Sequence, residues 1–332
     1  MQIISRETNT LGHWAHLAIE KHFHKTIKYE AEVLQDQDPE ALHQMRVGMR
    51  RLRSAASGFA PALILPESAS LPAIGKIART LGKLRDLDVM LDLIKNQLQN
   101  DLPGSEKKQI KEIVSRLIFQ RTLVFKTVKN TFGGKKYKNL KKHLKYWLKN
   151  PEFDQIATIP IAQVLPDLLL PEVSLMFLHP GWLVGVQYVD EEITGIAQLA
   201  PSEVAQELAI NGEILHGLRK QVKRVRYQMT LFTDLYGADY TRYLGDMKAI
   251  QEILGQIQDS QVLAATIEAL LGAEIAEVLP VMTSKLADNI YNSWQEWQTW
   301  HTQYLAPETR RDFRLVLLSH LDQKREEAIP EA

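Results

Sequence analysis

The sequence predicts an all-α protein in which one helical arrangement occurs twice. The first observation is the period of the apolar residues, which recur every three or four positions through most of the chain, as on the buried side of a helix. The second is the position of glycine and proline, which fall between these segments, as at Pro103-Gly104 and Gly133-Gly134. The third is that two separate motifs of the first half recur in the second half at a single spacing.

The helical period and its breaks define the elements. Pro39 suits the first turn of a helix, where no N–H is needed, and Asp38 before it is a favourable N-cap. Only the stretch Trp182–Val189 has a weak β pattern. We assign residues 1–150 to a first helical bundle, 151–201 to an acidic connector that contains prolines, and 202–332 to a second bundle. The predicted helices are Leu11–Leu34, Pro39–Phe59, Leu71–Gln99, Glu106–Thr131, Tyr137–Lys149, Ser202–Tyr236, Tyr240–Leu271, Glu274–Tyr304 and Pro307–Glu327.

The composition is that of a soluble cytoplasmic protein. The chain has 332 residues, of which 45% are hydrophobic and 24% charged, enough for two domains or one large one. The absence of cysteine excludes disulfides, thiolate metal ligands and cysteine nucleophiles. The N-terminal residues are polar and lack the apolar run of a signal peptide. Prolines and acidic residues interrupt the most apolar stretch, Ile159–Val189, so we expect no membrane span.

Charge is strongly segregated along the chain, although the formal net charge is zero. The segment Lys107–Lys149 contains twelve lysines and two arginines but only one acidic residue, Glu112. The segment Asn150–Leu218 contains ten acidic residues and no lysine or arginine. Such segregation indicates separate positive and negative surfaces, of which the positive one is a candidate for binding a polyanion. A solvated helix face followed by an acidic linker would explain the charges equally well.

The internal repeat rests on two motifs that share one shift of 173 residues, the shift from Arg46 to Arg219. Because both motifs keep this register without a gap, the halves of the chain are copies of one ancestor. The first motif, Leu42-His43-x-x-Arg46-x-x-x-Arg50-Arg51-x-Arg53, falls on Leu215-His216-x-x-Arg219-x-x-x-Lys223-Arg224-x-Arg226. The second, Leu81-Gly82-x-x-x-Asp86-x-x-Val89, falls on Leu254-Gly255-x-x-x-Asp259-x-x-Val262.

On a helix, the first motif places a row of cations beside a row of apolar residues. We call His43, Arg46, Arg50 and Arg53 the first basic stripe, and His216, Arg219, Lys223 and Arg226 the second basic stripe. Cations one turn apart are separated by about 5.4 Å along the axis, and their repulsion destabilises the helix unless an anion neutralises it. Arginine forks suit phosphate oxygens, so both stripes predict phosphate binding.

Pairing with internal carboxylates is the alternative role for these arginines. Asp86, Asp259, Glu40 and Glu213 are the candidate partners, and we interpret the two aspartates mainly as groups that orient the stripes. In the first half, Lys76, Arg79, Lys83 and Asp86 share a polar face, whereas the second half has Glu252, Gln256 and Asp259 with Lys248 as the only basic residue. The first half is therefore expected to bind more strongly. Gly82 and Gly255 inside helices predict close helix contact.

Other features carry weaker signals. Lys135, Lys136, Lys138 and Lys142 extend a phosphate track or simply form a solvated surface. The histidines of the first predicted helix have no carboxylate at a fixed spacing, which argues against a metal site. Trp294, Trp297 and Trp300 recur every three residues and are expected in the core or at an interface. No Walker, dinucleotide-binding, HExxH or GxSxG motif occurs.

At these motifs the chain resembles the CHAD family, the conserved-histidine α-helical domain. The resemblance runs over roughly Leu11–His320 and lies in the first motif, in Ala78-Arg79-Thr80-Leu81-Gly82-x-x-Arg85-Asp86-x-Asp88-Val89, and in their second copies. It implies two antiparallel helical bundles with pseudo-twofold symmetry, and a basic surface or groove that binds inorganic polyphosphate without catalysis. The second copy departs from the pattern, because Gln258 and Gln261 replace Arg85 and Asp88.

The expected function is therefore binding of inorganic polyphosphate, with no cofactor, no metal and no catalysis, in the cytoplasm or on polyphosphate granules. A metal-dependent phosphohydrolase is the alternative, but such enzymes need clustered carboxylates, and the basic faces offer only Asp86 and Asp259. Nucleic-acid binding would favour aromatic residues among the cations, and only Tyr137 and Tyr227 qualify. The predicted ligand-binding residues are His43, Arg46, Arg50, Arg51, Arg53, Arg79, Lys83, Arg85, Lys135, Lys136, Lys138, Lys142, His216, Arg219, Lys220, Lys223, Arg224 and Arg226.

Overall fold

A computed structural model describes residues 9–98, 102–190 and 192–319, apart from the side chain of Gln97. The predicted all-α class is confirmed, because the described chain is helical except for its loops, two isolated β-bridges and one hairpin. The hairpin pairs β1 (Val186–Val189) antiparallel to β2 (Glu192–Ile196), and β1 lies within the stretch that had the weak β pattern. The chain forms two compact units.

Unit 1 comprises the described residues of Met1–Asp101 and Ile110–Val164. Helix α3 packs against both α1 and α4, and the buried apolar residues of these three helices form the core. The apolar stripe predicted beside the first basic stripe is buried, at Leu42, Met45, Met49 and Leu52. The helices are α1 (Leu11–Lys28), α2 (Glu30–Gln35), α3 (Pro39–Gly58), α4 (Leu71–Leu93, continued by a π-helical turn, Ile94–Leu98), α5 (Gly104–Gly133, which groups with unit 1 from Ile110 onward) and α6 (Lys135–Lys149).

Sequence signals explain how α3 begins. Asp38 is extended and its carboxylate accepts a hydrogen bond from the backbone N–H of Glu40 at 2.8 Å, while Pro39 occupies the first turn, as predicted. The first basic stripe therefore begins one turn after a fixed helix end. This end places His43 and Arg46 at defined positions.

Unit 2 comprises the described residues of Leu102–Gln109 and Leu165–Ala332. Its core is aromatic, with Trp182, Trp294, Trp297, Tyr304 and Phe313 almost fully buried. The core prediction is thus confirmed for Trp294 and Trp297. The helices are α7 (Ile161–Phe177), α8 (Pro201–Met229), α9 (Ala238–Leu271), α10 (Ile275–Val278), α11 (Pro280–Leu305) and α12 (Pro307–Leu318).

The segment 151–201, which we predicted as a connector, is divided between the two units. Residues 151–164 group with unit 1, whereas the remainder groups with unit 2. The reason is the apolar face of α7, because Leu165, Leu169 and Val173 are buried in the core of unit 2. By length and composition alone, the segment Ile161–Leu183 could cross a membrane. A helix buried in a protein core meets the same two criteria.

The helix order follows the sequence repeat. The shift of 173 residues carries α3 onto the second half of α8, and α4 onto α9. The same shift carries α5 onto α11 and α6 onto α12. The two motifs therefore occupy equivalent helices in their own units, while the pseudo-twofold relation stays a prediction.

Candidate functional site

The first basic stripe lies along α3 at the margin of the unit 1 core. His43, Arg46 and Arg50 are half-buried, and Arg53 is exposed. This placement follows from the helical period, because the stripe is adjacent to the buried apolar positions of the same helix. The stems of the arginines thus lie against apolar surface while their guanidinium groups reach its edge.

Arg46 rests on the glycine of the neighbouring helix. A Cβ atom added to Gly82 would lie 3.7 Å from Nη2 of Arg46. Nη1 of Arg46 is 3.5 Å from the carboxylate of Asp86, one turn further along α4. The predicted pairing of the stripe with Asp86 is therefore confirmed, and the residue that approaches the glycine is a guanidinium rather than a helix backbone.

Unit 2 repeats this contact with the equivalent residues. Nη2 of Arg219 is 3.7 Å from the carboxylate of Asp259. A Cβ added to Gly255 would lie only 3.0 Å from Nη2 and 3.2 Å from Nε of the same arginine. Arg219, Gly255 and Asp259 each lie 173 positions after their counterparts in unit 1, so the arginine–glycine–aspartate contact occurs in both copies.

Unit 1 adds cations from α4 to the first basic stripe. The space above Gly75 is bounded by Arg79 and Arg53, whose guanidinium atoms lie 3.5 and 3.8 Å from the position of an added Cβ. Arg85 lies near enough to His43 to lower the pKa of the imidazole. Cations of α3 and α4 therefore lie next to one another at the surface of unit 1.

Helix α6 contributes further cations to this surface. The ammonium groups of Lys76 and Lys136 are close together, and Lys136 lowers the pKa of Lys76, with a further contribution from Arg79. Lys141 is engaged differently, because it donates to the carboxylate of Glu30 at 2.6 Å. The exposed members of the predicted set in unit 1 are Arg53, Arg79, Lys83, Lys135, Lys136, Lys138 and Lys142.

The unit 2 face is less basic. Arg226 donates to the side-chain oxygen of Gln251 at 3.2 Å, and its guanidinium lies 5.5 Å from the centroid of the Tyr227 ring. Glu252 and Gln256 occupy the positions of Arg79 and Lys83, and Gln256 accepts a hydrogen bond from Ser293. The two copies therefore differ in charge in the expected direction, because unit 2 has an acidic and a neutral residue where unit 1 has two cations.

Two predicted site residues lie to the side of their stripes. Burial, followed by the nearby Arg51, lowers the pKa of His22 in α1 to about 4, so Arg51 lies toward α1. Arg224 donates to Gln221 and lies 3.7 Å from the carboxylate of Glu172. Both arginines directly follow a stripe residue in sequence, and a step of one residue turns a helical side chain by about 100°.

The pKa values of the two stripe histidines are both lowered by their surroundings. Burial, together with Arg85 and the stripe arginines, lowers the pKa of His43 despite the opposing effect of Glu40. Burial followed by Lys220 and Arg219 does the same for His216, whose Nδ1 is buried and has no hydrogen-bond partner among the described residues.

Asp88 has a structural role that the sequence motif did not reveal. It is buried, and its carboxylate accepts a hydrogen bond from Nε of Arg121 at 2.6 Å. The same guanidinium donates twice to Asp36, at 2.6 and 2.7 Å, which ties the loop before α3 to α5. The second copy has Gln261 and Trp294 at the positions of Asp88 and Arg121, so it lacks this ion cluster. The sequence signal for this role was that Asp88 falls among the apolar, buried positions of α4.

The described residues contain no group of three His, Asp or Glu side chains that could hold a metal ion. The basic faces of both units therefore offer guanidinium and ammonium donors, with one carboxylate beside the leading arginine of each. Such an arrangement can bind anions through charge-assisted hydrogen bonds.

These features define an all-helical protein with a basic stripe in each of two copies. The model of the CHAD domain family matches residues 17–268, which is more than half of the chain, and the protein therefore belongs to the CHAD family. No curated protein matches the chain.

Two solved structures are similar in fold. The CHAD domain from the plant Ricinus communis is 20% identical, with a TM-score of 0.55, and the alignment covers 95% of this chain and 94% of the other. PptA from Streptomyces chartreusis is 14% identical, with a TM-score of 0.63, covering 88% of this chain and 99% of the other. At these identities the likeness shows the fold alone.

Proposed function

We propose that this CHAD protein binds inorganic polyphosphate through the basic stripes and the cations beside them, and that it does so without catalysis. The observation that carries the proposal is the cluster of cations on α3, α4 and α6 of unit 1. There, the guanidinium groups of Arg79 and Arg53 lie 3.5 and 3.8 Å from one point above Gly75, and Lys136 of α6 lowers the pKa of the nearby Lys76. Like charges at such distances are stabilised when a dense anion lies across them.

The spacing of the cations favours a linear polyanion over a single phosphate. Stripe residues recur at each turn, about 5.4 Å apart along the helix, so a single phosphate would engage only one or two of them. A phosphate polymer carries charge at every unit and could neutralise a whole stripe. The two stripes lie in separate units, so each stripe would bind its own stretch of the polyphosphate.

Nucleic-acid binding has less support, because neither of the two aromatic residues predicted as candidates for stacking is exposed. Tyr137 is fully buried, and its hydroxyl donates to Glu30 at 3.0 Å. Tyr227 is half-buried beside Arg226. Single-stranded nucleic acids gain about 1–3 kcal/mol per stacked base, which these residues would not supply.

A competition assay tests the proposal. Labelled long-chain polyphosphate is bound to the protein and displaced with unlabelled polyphosphate, single-stranded RNA, duplex DNA or ATP. We expect polyphosphate to displace the label at the lowest concentration of phosphate residues. Equal displacement by RNA or DNA would favour a general nucleic-acid-binding role, and displacement by ATP alone would favour a nucleotide site.

The proposed location is the cytoplasm, on polyphosphate granules where these form. Fluorescently tagged protein is expected to co-localise with the granules. The variant that lacks Arg46, Arg50, Arg219 and Arg226 should be diffuse.

A further inference from the structure

Two arginines of α12 share one aromatic ring in unit 2. The guanidinium carbons of Arg310 and Arg314 lie 5.4 and 5.0 Å from the centroid of the Phe177 ring. Arg310 also lies 5.8 Å from the centroid of the Trp182 ring. Neither arginine belongs to the basic stripes or to the ligand-binding residues predicted from the sequence.

The donors of Arg310 are only partly used. Its Nε donates to the carbonyl oxygen of Tyr304 at 2.6 Å, and its Nη1 to that of Phe177 at 3.3 Å. Its Nη2 is buried and has no hydrogen-bond acceptor within the described ranges. Burial lowers the pKa of Arg310, and Arg314 lowers it further. This guanidinium therefore has a donor to offer and a positive neighbour instead of a counter-ion.

Among the described residues, the Arg314 side chain donates one hydrogen bond, to the carbonyl oxygen of Arg310 at 3.2 Å. No carboxylate of residues 9–98, 102–190 or 192–319 forms an ion pair with either arginine. Partly buried cations are costly to hold without an opposite charge. The ring of Phe177 offsets part of that cost through its negative face, but a second cation on the same ring adds repulsion.

The equivalent positions in unit 1 bind a carboxylate. The shift of 173 residues places Arg310 on Tyr137 and Arg314 on Lys141. Tyr137 donates to Glu30 at 3.0 Å, and Lys141 donates to both oxygens of the same carboxylate at 2.7 and 2.6 Å. At the same shift, Glu30 corresponds to Glu203, whose carboxylate instead accepts from the backbone N–H of Ala200 at 2.7 Å.

We propose that Arg310 and Arg314 form an oxyanion site in unit 2, which binds a phosphate or carboxylate group that the described fold does not provide. Two guanidinium groups present more donors than the tyrosine and lysine of unit 1, and their forks suit an oxyanion. Two sources share this chemistry, namely phosphate from solution and the acidic residues Glu326 and Glu327 of the same chain.

The test measures the rise in thermal midpoint of unfolding with increasing inorganic tripolyphosphate. All proteins carry the changes Arg46→Ala, Arg50→Ala, Arg219→Ala and Arg226→Ala, so that the outcome does not depend on the proposed function of the stripes. The test variant is Arg314→Gln. The matched control is Arg311→Gln, because Arg311 lies on the same helix and is paired with Asp312 at 3.0 Å.

We expect Arg314→Gln to weaken the apparent affinity for tripolyphosphate about tenfold, the size of one lost hydrogen bond to a charged group. Arg311→Gln should leave the affinity unchanged, and Arg314→Lys should restore part of it. If Glu326→Gln with Glu327→Gln raises the affinity, the chain's own carboxylates fill the site; if it does not, external phosphate fills it. Equal affinities for Arg314→Gln and Arg311→Gln in both backgrounds would overturn the proposal.

Discussion

At the scale of single residues, the guanidinium of one arginine in each stripe packs against a glycine of the neighbouring helix. Arg46 and Arg219 would otherwise meet a side chain of the neighbouring helix, and both carboxylates that face them are more than half exposed, at 65% for Asp86 and 55% for Asp259. An exposed carboxylate at 3.5 to 3.7 Å contributes at most about 1 kcal/mol. The aspartates therefore orient the arginines without holding them tightly, as the proposed exchange of each aspartate for a phosphate requires.

Replacing each glycine by alanine should affect polyphosphate binding differently in the two units. Alanine is favoured over glycine within a helix by about 1 kcal/mol, so Gly82→Ala should fold at least as stably as the parent protein, whereas in Gly255→Ala the shift forced on Arg219 opposes this gain. The new methyl group would lie 3.0 Å from Arg219 but 3.7 Å from Arg46. Gly255→Ala should therefore weaken polyphosphate binding at the second stripe, while Gly82→Ala leaves binding nearly unchanged. Calorimetric titration of both variants measures this, and equal effects would contradict the account.

The histidines predict a pH dependence. In the free protein, burial and neighbouring cations lower the pKa of His43 and His216 below the ordinary value near 6.5. A bound phosphate chain would raise both values, because it supplies negative charge and hydrogen-bond acceptors. Binding then takes up protons. The affinity should rise as the pH falls from about 8 to about 6, and should level off below the pKa of the free protein.

The control for this pH dependence is the double variant His43→Gln, His216→Gln. Its affinity should vary less with pH than that of the parent protein between about 8 and about 6. If the two proteins show the same pH dependence and the variant is merely less stable, the histidines do not contact the ligand.

At the scale of elements, α3 is held in unit 1 by an ion cluster behind the basic surface. Arg121 of α5 joins Asp88 of α4 to Asp36, which precedes α3. The side chain of Asp88 is only 6% exposed, so its charge requires a partner. The cluster fixes the start of α3 relative to α4 and thereby positions the first basic stripe against its neighbours.

Removing Arg121 should be strongly destabilising. Arg121→Leu leaves Asp88 buried without a counter-ion, and losses of about 3–5 kcal/mol are typical of such changes. Arg116→Leu is the matched control on the same helix, since Arg116 forms an exposed pair with Glu112 at 2.6 Å and should cost less than about 1 kcal/mol. Urea denaturation measures both. Equal losses in the two variants would show that the buried cluster does not hold unit 1 together.

Element positions were more predictable from the sequence than side-chain roles. The helical period gave the start of α3 at Pro39 and the end of α6 at Lys149, because caps and breaks are local signals. The polar face of Lys76, Arg79 and Lys83 was equally predictable. The partners of Asp88 were not, because Asp36 and Arg121 are distant in sequence and meet only in the folded unit. Arg51 and Arg224 were predicted to bind with the stripes because they belong to the motif. Each directly follows a stripe residue, so its side chain points away from the stripe around the helix.

At the scale of the whole molecule, the two units differ in charge. Unit 1 has Arg79 and Lys83 where unit 2 has Glu252 and Gln256, and α6 adds exposed lysines that α12 lacks. The second copy keeps the arginine–glycine–aspartate contact but not the surrounding cations. Unit 1 should therefore dominate the affinity, and unit 2 should add a weaker second region.

The absence of catalysis is a prediction at the same scale. We expect no release of orthophosphate when polyphosphate is incubated with the protein and Mg²⁺ or Mn²⁺. Phosphoryl transfer generally needs clustered carboxylates that hold the metal ions, whereas the described part of the chain pairs Arg46 and Arg219 with one carboxylate each, Asp86 and Asp259. Turnover that co-purifies with the protein and disappears in Asp86→Asn or Asp259→Asn would show that the protein is an enzyme.

The salt dependence of polyphosphate affinity tests the central claim most directly. For a phosphate polymer, the logarithm of the affinity falls linearly with the logarithm of the salt concentration, by roughly 0.7 to 0.9 per phosphate contact in nucleic acids. We predict that replacing Arg46, Arg50, Arg219 and Arg226 by alanine weakens binding and flattens this slope. Replacing the acid-paired residues Arg116, Arg242 and Arg311 should change neither. An unchanged slope in the stripe variant would contradict the account and would move the site to the lysines of Lys107–Lys149.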